Sequence, residues 1–196
     1  MKMVEFIGRP ALLIIDAQKE FLSSVTDSVH SVQIIGEVLQ AARKNQIPVI
    51  FSKEIHRRTK VDFGRELDGD ESIHCLEKTE GVEIVDPLQP IEGEYVITKR
   101  RYSCFVGTDL QILLQGLHVQ TLIVCGFLTD VCVHYTCADA HQYDYFVRVI
   151  YDGVSGSSEE AHAAALKAIK YLQHDSETDS EEVIAFLNDA RNREVG

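Results

Sequence analysis

Three residues far apart in this chain carry groups that together can perform acyl transfer: the thiol of Cys132, the carboxylate of Asp16 and the amine of Lys99. Cys132 lies in Gly126-Phe127-Leu128-Thr129-Asp130-Val131-Cys132-Val133, after the apolar run 121–125 and before the helix-compatible segment 133–143. A cysteine where a buried strand gives way to a helix meets outward-pointing amides, which favour negative charge and predict a thiolate. A thiolate attacks carbonyl carbon. Asp16 can take the thiol proton and return it to a leaving nitrogen. Lys99 is a fixed positive charge that favours ionised Asp16 and Cys132. Backbone N–H groups in the turn before Cys132 can hold the developing oxyanion, and one such donor is typically worth ~3 kcal/mol.

Each residue also has a plainer reading. An aspartate after a strand is often a helix cap, and a lysine after an edge strand is usually a solvated charge. A free cysteine near a core strand is usually a small buried hydrophobe, and Cys75, Cys104, Cys125 and Cys137 are read that way. Spacing alone leaves both readings open.

The elements around these residues make the chemical reading testable. Short apolar runs at 11–15, 49–51, 95–98, 122–125 and 146–150 read as buried strands. Helical patterns alternate with them at 29–44, 108–115, 133–143, 157–172 and 180–192, with Thr108 as an N-cap and Gly116 as a C-cap. Alternation of this kind predicts an α/β fold with a mainly parallel sheet, buried on both faces. Ligands of such sheets bind beyond the carboxyl ends of the strands. Asp16, Lys99 and Cys132 all follow strand ends, so parallel strands would bring them to one edge. Residues 53–80, charged and broken by Gly64 and Gly69, read as a long excursion rather than core.

Composition bounds the possibilities. A chain of 196 residues, 45% apolar and 26% charged, suits one globular domain over 1–196 with a substantial core. A net charge of −12 argues against nucleic acid or an anionic membrane as partner. Five cysteines without a C-x-x-C pair suggest neither a disulfide framework nor a zinc site. Residues 1–8 are too short and polar for a signal peptide, and no apolar run approaches ~18 residues. A cytoplasmic setting is expected.

The motifs carry a family resemblance. Leu12-Leu13-Ile14-Ile15-Asp16-Ala17-Gln18-Lys19-Glu20-Phe21 resembles the opening motif of the isochorismatase-like cysteine hydrolases. Val96-Ile97-Thr98-Lys99-Arg100-Arg101-Tyr102-Ser103-Cys104-Phe105, followed by Gly107-Thr108-Asp109-Leu110, resembles their lysine motif, and Gly126 to Val133 their nucleophile motif. The three occur in the family's order. The family includes nicotinamidases, N-carbamoylsarcosine amidases, ureidoacrylate and biuret amidohydrolases, and isochorismatases. The resemblance implies a three-layer αβα sandwich around a Rossmann-like sheet of about six strands. It implies that Asp16, Lys99 and Cys132 form a catalytic triad. It implies a cis peptide between Phe127 and Leu128, with the N–H groups of Leu128 and Cys132 as the oxyanion hole. Phe21 matches an aromatic residue of the family's substrate pocket, and Tyr102 and Phe105 are further candidates for that wall. A homo-oligomer is also implied.

Departures narrow the expectation. Nicotinamidases carry a metal motif, Asp-x-His, after the second strand. Here Glu54-Ile55-His56 stands in its place, with His74 farther along. Loop or surface histidines, no metal, no cofactor and a substrate other than nicotinamide are therefore expected. The segment 66–84, with Gly69-Asp70-Glu71, His74-Cys75 and Gly81-Val82-Glu83-Ile84, resembles the branch related to N-carbamoylsarcosine amidase. Arg57, Arg58 and Arg65 either meet a substrate carboxylate or sit in a solvated loop balanced by Glu66, Asp68 and Asp70. His134 should face away from Cys132 on a helix. The expected activity is hydrolysis of a C–N bond in a small amide, ureide or carbamoyl compound. The alternatives are cleavage of an isochorismate-like vinyl ether and a thiol redox module on the same scaffold.

Overall fold

The apolar runs do become strands, and all of them point the same way. A computed structural model of the chain describes residues 6–189. Its sheet contains β1 (Pro10–Ile15), β2 (Val49–Glu54), β3 (Tyr95–Lys99), β4 (Thr121–Phe127), β5 (Phe146–Ser155) and β6 (Glu177–Thr178). All neighbours are parallel, in the order β3-β2-β1-β4-β5-β6. Helices α1 (Ser28–Lys44), α2 (Leu110–Gly116), α3 (His134–Gln142), α4 (Glu159–Leu172) and α5 (Ser180–Asn188) fill the connections. Positions 190–192 of the expected last helix lie outside the described residues.

β1 explains why the fold is three-layered. Every one of its residues is buried. Leu12 and Ile14 pack on one face against Ile35, Val38 and Leu39 of α1 and Val183 and Leu187 of α5. Leu13 and Ile15 pack on the other, with Leu110 of α2, Cys137 of α3 and Leu166 and Ile169 of α4. Alternate side chains of a strand serve opposite faces, so a continuous apolar run is what a doubly covered strand requires. Full burial of each of these large aliphatic side chains is worth roughly 1.5–3 kcal/mol.

The helix starts are sealed locally. Asp27 accepts from His30 N, and Ser158 from Ala161 N at 3.1 Å. Thr108 Oγ1 accepts from Leu110 N at 3.1 Å, although α2 begins one residue later than a Thr108 cap predicts. Among the described residues no helix is long and apolar enough to cross a membrane.

The sheet order puts a topological switch between β1 and β4. The chain leaves β1 for β2 on one side and reaches β4 on the other. Side-chain ligands in such sheets gather outside the carboxyl ends at the switch. The residues just past β1 and β4 are Asp16 and the turn containing Cys132.

The excursion after β2 is not what its composition predicts. Phe63, Glu66, His74 and Cys75 are buried, and Glu54 and His56 are sealed completely or nearly so. The segment folds back over the strand ends, with His56 bridged to Leu76. Some of its charged residues pair with one another, Arg57 with Asp62 and Arg65 with Asp68, and Glu66 is buried beside His56.

Candidate active site

Asp16 ends β1 with φ 47°, a conformation uncommon for a residue with a side chain. The turn lets Ser52 of β2 grip it twice. Asp16 N donates to Ser52 Oγ at 3.1 Å, and Ser52 Oγ donates to Asp16 Oδ1 at 2.6 Å. The other carboxylate oxygen, Oδ2, lies 2.8 Å from Lys99 Nζ. Lys99 Nζ also lies 3.4 Å from Cys132 Sγ and 2.6 Å from Glu54 Oε2. The structure thus brings together the three residues singled out in the sequence, and adds Glu54. Asp16 and Lys99 have no exposed surface, and Cys132 keeps 3%.

Cys132 sits in a π-helical turn, Thr129–Val133, whose Val133 N donates to Leu128 O at 3.0 Å. The wider turn sets the cysteine between β4 and α3. The Phe127–Leu128 peptide before it is cis. Gly126 is needed where β4 passes β1: it has φ 115°, and a Cβ there would stand 2.0 Å from the Ile15 carbonyl oxygen. The turn is tied down from the β5–α4 loop and from the first turn of α4. Asp130 accepts from Ser157 N and Oγ at 2.9 and 2.6 Å, and Thr129 Oγ1 bonds His162 Nδ1 at 2.9 Å.

The electrostatics correct one expectation. Burial pushes the Cys132 thiol well above its ordinary range, and the charges of Asp16 and Glu54 add to this against Lys99. Two carboxylates share one ammonium here, so ionising the thiol would add a third negative charge beside it in a buried site. Cys132 therefore rests as a thiol, not as the thiolate that the helix start alone predicts. Burial raises the Asp16 carboxyl against the pull of Lys99, which makes it a stronger base. Burial opposes the charge on Lys99, but Asp16, Cys132 and Glu54 outweigh it and hold the ammonium protonated.

Glu54 was legible only as a mismatched motif, yet it joins two clusters. Its Oε2 pairs with Lys99, and its Oε1 lies 3.1 Å from His56 Nε2 and 3.4 Å from His74 Nε2. Gln18 fixes its backbone: Glu54 N donates to Gln18 Oε1 at 2.8 Å, and Gln18 Nε2 donates to Glu54 O at 2.9 Å. Burial disfavours its charge, but Lys99 and the two histidines win and hold it well below the usual carboxylate range. His56 and His74 are accordingly not surface histidines. Both are buried, and His56 stacks on Phe63 at 3.9 Å.

Glu66, carried by the excursion, completes a second group. Glu54, His56, Glu66 and His74 present ligand atoms within 4.8 Å of one another. Both Glu66 carboxylate oxygens and His56 Nδ1 are buried without a hydrogen-bond partner. Burial and the neighbouring Glu54 charge raise the Glu66 carboxyl to about 7. Two imidazoles and two carboxylates, with lone pairs left over, fit a divalent cation such as zinc. No spacing rule would have picked Glu66 out, because it lies in a loop without periodicity.

The remaining expected residues scatter. Phe21 is buried, with its ring 6.0 Å from that of His74. Tyr102 stacks on Tyr135, and its hydroxyl is pushed to about 12 by burial and by the charges of Glu66, Glu71 and Glu54. Phe105 makes its ring contacts with Tyr143 and Tyr145 instead. Arg57 pairs with Asp62 and Arg65 with Asp68, and neither touches the triad. His134 stacks on Tyr135.

Known proteins share this fold. The isochorismatase domain matches residues 10–179. A probable inactive nicotinamidase of Arabidopsis thaliana is 34% identical over 181 residues, covering 87% of this chain and 92% of its own. The cysteine hydrolase from Pseudomonas syringae pv. phaseolicola superposes with a TM-score of 0.86 at 29% identity, over 97% of this chain and 99% of the other. N-carbamoylsarcosine amidase from Thermoplasma acidophilum gives 0.75 at 25% identity, over 88% and 97%. With the parallel sheet, the strand-end site and the domain match all in agreement, this chain belongs to the isochorismatase-like hydrolase family.

Proposed function

We propose that this protein hydrolyses the C–N bond of a small amide, ureide or carbamoyl compound through a thioester on Cys132. The observation that carries the proposal is Lys99 Nζ, set 2.8 Å from Asp16 Oδ2 and 3.4 Å from Cys132 Sγ. A buried ammonium in that place keeps Asp16 ionised beside a neutral thiol, which is the starting state for base-assisted attack. The similarity to N-carbamoylsarcosine amidase and to a cysteine hydrolase supports the same class of bond.

In the first half-reaction Cys132 Sγ bonds the carbonyl carbon while its proton passes to Asp16. The oxyanion is taken by the N–H groups of Leu128 and Cys132, donors held in place before the reaction begins. Asp16 then gives the proton to the nitrogen as the C–N bond breaks, and the amine or ammonia leaves. In the second half, Asp16 takes a proton from water, whose oxygen attacks the thioester. Collapse expels the thiolate, which regains that proton. Lys99 stays protonated throughout and stabilises the negative charge as it moves between Asp16 and sulfur. Glu54, His56, Glu66 and His74 would hold a divalent cation, which when bound supplies a Lewis-acid anchor for a polar atom of the substrate. Phe21 and Tyr102 wall the acyl group, whereas Phe105 packs against Tyr143 and Tyr145.

The test is ammonia release from a panel of primary amides, ureides and N-carbamoyl amino acids, with intact-mass detection of the acyl-enzyme. Turnover should vanish in Cys132→Ala. A Cys132→Ala protein with full activity on any member of the panel would refute the covalent route. Conversion of isochorismate without amide turnover would move the reading to vinyl-ether cleavage.

A further inference from the structure

We infer that Arg57, Arg100 and Arg101 form a second binding site, outside the catalytic centre, for a small anion bearing a carboxylate or phosphate group. The three line a cleft of about 550 Å³, with Asp62, Thr98, Val106 and Gly107 as the other walls. That volume is within the range of sites for small ligands. None of Asp16, Lys99 or Cys132 lines it.

Two guanidinium groups converge there on the Asp62 carboxylate, and a third bonds the Asp62 backbone carbonyl. Arg57 Nη1 and Arg100 Nε lie 3.2 and 2.9 Å from Asp62 Oδ2. Arg57 N also donates to both carboxylate oxygens, and Arg101 Nη1 donates to the Asp62 carbonyl at 2.6 Å and to the Arg100 carbonyl. Gathering three arginines leaves a surplus of positive charge in a chain whose net charge is −12. Like charges held this close repel one another, and an incoming anion relieves that repulsion. Most of the N–H donors of each guanidinium remain uncommitted, and their planar forks suit carboxylate or phosphate oxygens.

The local backbone is shaped for this arrangement. Lys99, the last residue of β3, is buried, and Arg100 and Arg101 follow it past the strand end to line the cleft. Gly64 has φ 62°, and a Cβ at that position would stand 2.8 Å from Arg101 Nη2. Asp62 keeps only 12% of its side chain exposed, and its other oxygen lies 3.6 Å from His56 Nδ1. It therefore orients the arginines from behind and separates the cleft from the buried cluster, while Arg57 keeps 56% of its side chain exposed to an arriving ligand.

The test is calorimetric titration of the whole protein with sodium phosphate and, separately, with sodium succinate, at ionic strength matched by sodium chloride. Saturable binding of at least one is expected, and which of the two binds assigns the group. Arg100→Gln and Arg57→Gln should each weaken it by about tenfold or more, the scale of one charge-assisted hydrogen bond. Cys132→Ala should bind as the parent does. Arg100→Lys, which keeps the charge and loses the fork, should bind more weakly than the parent at an unchanged melting temperature, separating recognition from folding. Absence of saturable binding of both anions, affinity unchanged in all the arginine variants, or affinity lost in Cys132→Ala would each overturn the inference.

Discussion

Lys99 Nζ stands 2.8 Å from Asp16 Oδ2 although β2 runs between the strands that carry them. The contact exists because both residues lie at carboxyl ends of parallel strands and the lysine is long enough to span the gap. It makes the charge of Asp16 depend on an ammonium from the edge of the sheet. Asp16→Asn keeps the shape and a partner for Ser52, but removes the proton acceptor. Turnover should fall by about 10²–10⁴-fold, the usual contribution of a general base. The same change removes a negative charge beside sulfur, one of the influences that raise the Cys132 pKa. Alkylation of Cys132 by iodoacetamide should therefore speed up while catalysis is lost. A variant in which both rates fall together would point to a collapsed site instead.

Lys99 also answers to Glu54, 2.6 Å away, and this sets a stability prediction. Lys99→Met leaves two buried carboxylates facing each other without a cation. Loss of one partner from a buried ion pair costs about 3–5 kcal/mol, mostly as uncompensated charge. Urea unfolding should register a loss of this size. Adding Glu54→Gln to Lys99→Met should restore part of it, because the second change removes one of the stranded charges. Additive losses in this double-mutant cycle would mean that the two side chains are energetically independent.

What the sequence revealed and what it hid follow from the range of each interaction. Asp16, Lys99 and Cys132 were legible because each follows an apolar run, and parallel strands bring such ends together. The five long strands were legible for the same reason. β6 was not, since Glu177–Thr178 is a strand only by pairing with Val149 and Ile150 at the sheet edge. β5 extends beyond its apolar run to Ser155, because its partner β4 continues to Phe127. The protonation of Cys132 depends on two carboxylates that the chain brings from separate strands. Glu66 and His74 sit in a charged segment whose burial no local pattern announces.

The buried group Glu54, His56, Glu66 and His74 predicts a measurable affinity for a divalent cation. Protein stripped with a chelator and titrated with zinc should bind one equivalent and melt at a higher temperature, since a ligand of the native state stabilises it by mass action. Glu66→Gln should weaken the binding and the thermal shift together. It should also raise the stability of the stripped protein slightly, because a buried carboxylate without a hydrogen-bond partner becomes a neutral amide. If zinc failed to shift the melting temperature, the four residues would be a self-contained ion-pair network.

A pH prediction comes from the far end of the sheet, away from the site. Arg43 of α1 holds Glu94 through two parallel bonds, Nε to Oε1 at 2.8 Å and Nη2 to Oε2 at 2.9 Å, and Ile91 N adds a third at 2.8 Å. This fastens the turn before β3 to α1. Burial opposes the charge on Glu94, but the Arg43 and Ile91 bonds outweigh it and lower the carboxyl below its ordinary value of 4.5. A group whose folded pKa is depressed contributes stability above its unfolded pKa and loses it as the pH falls through the folded one. Glu94→Gln should therefore cost about 1 kcal/mol near neutrality, in the range of a partly shielded bidentate pair. Below pH 4.5 the difference between variant and parent should shrink with each step of acidification. Chemical unfolding of both proteins from neutrality down to strong acid reads this directly, and a gap that stayed constant would remove the ion pair as its cause.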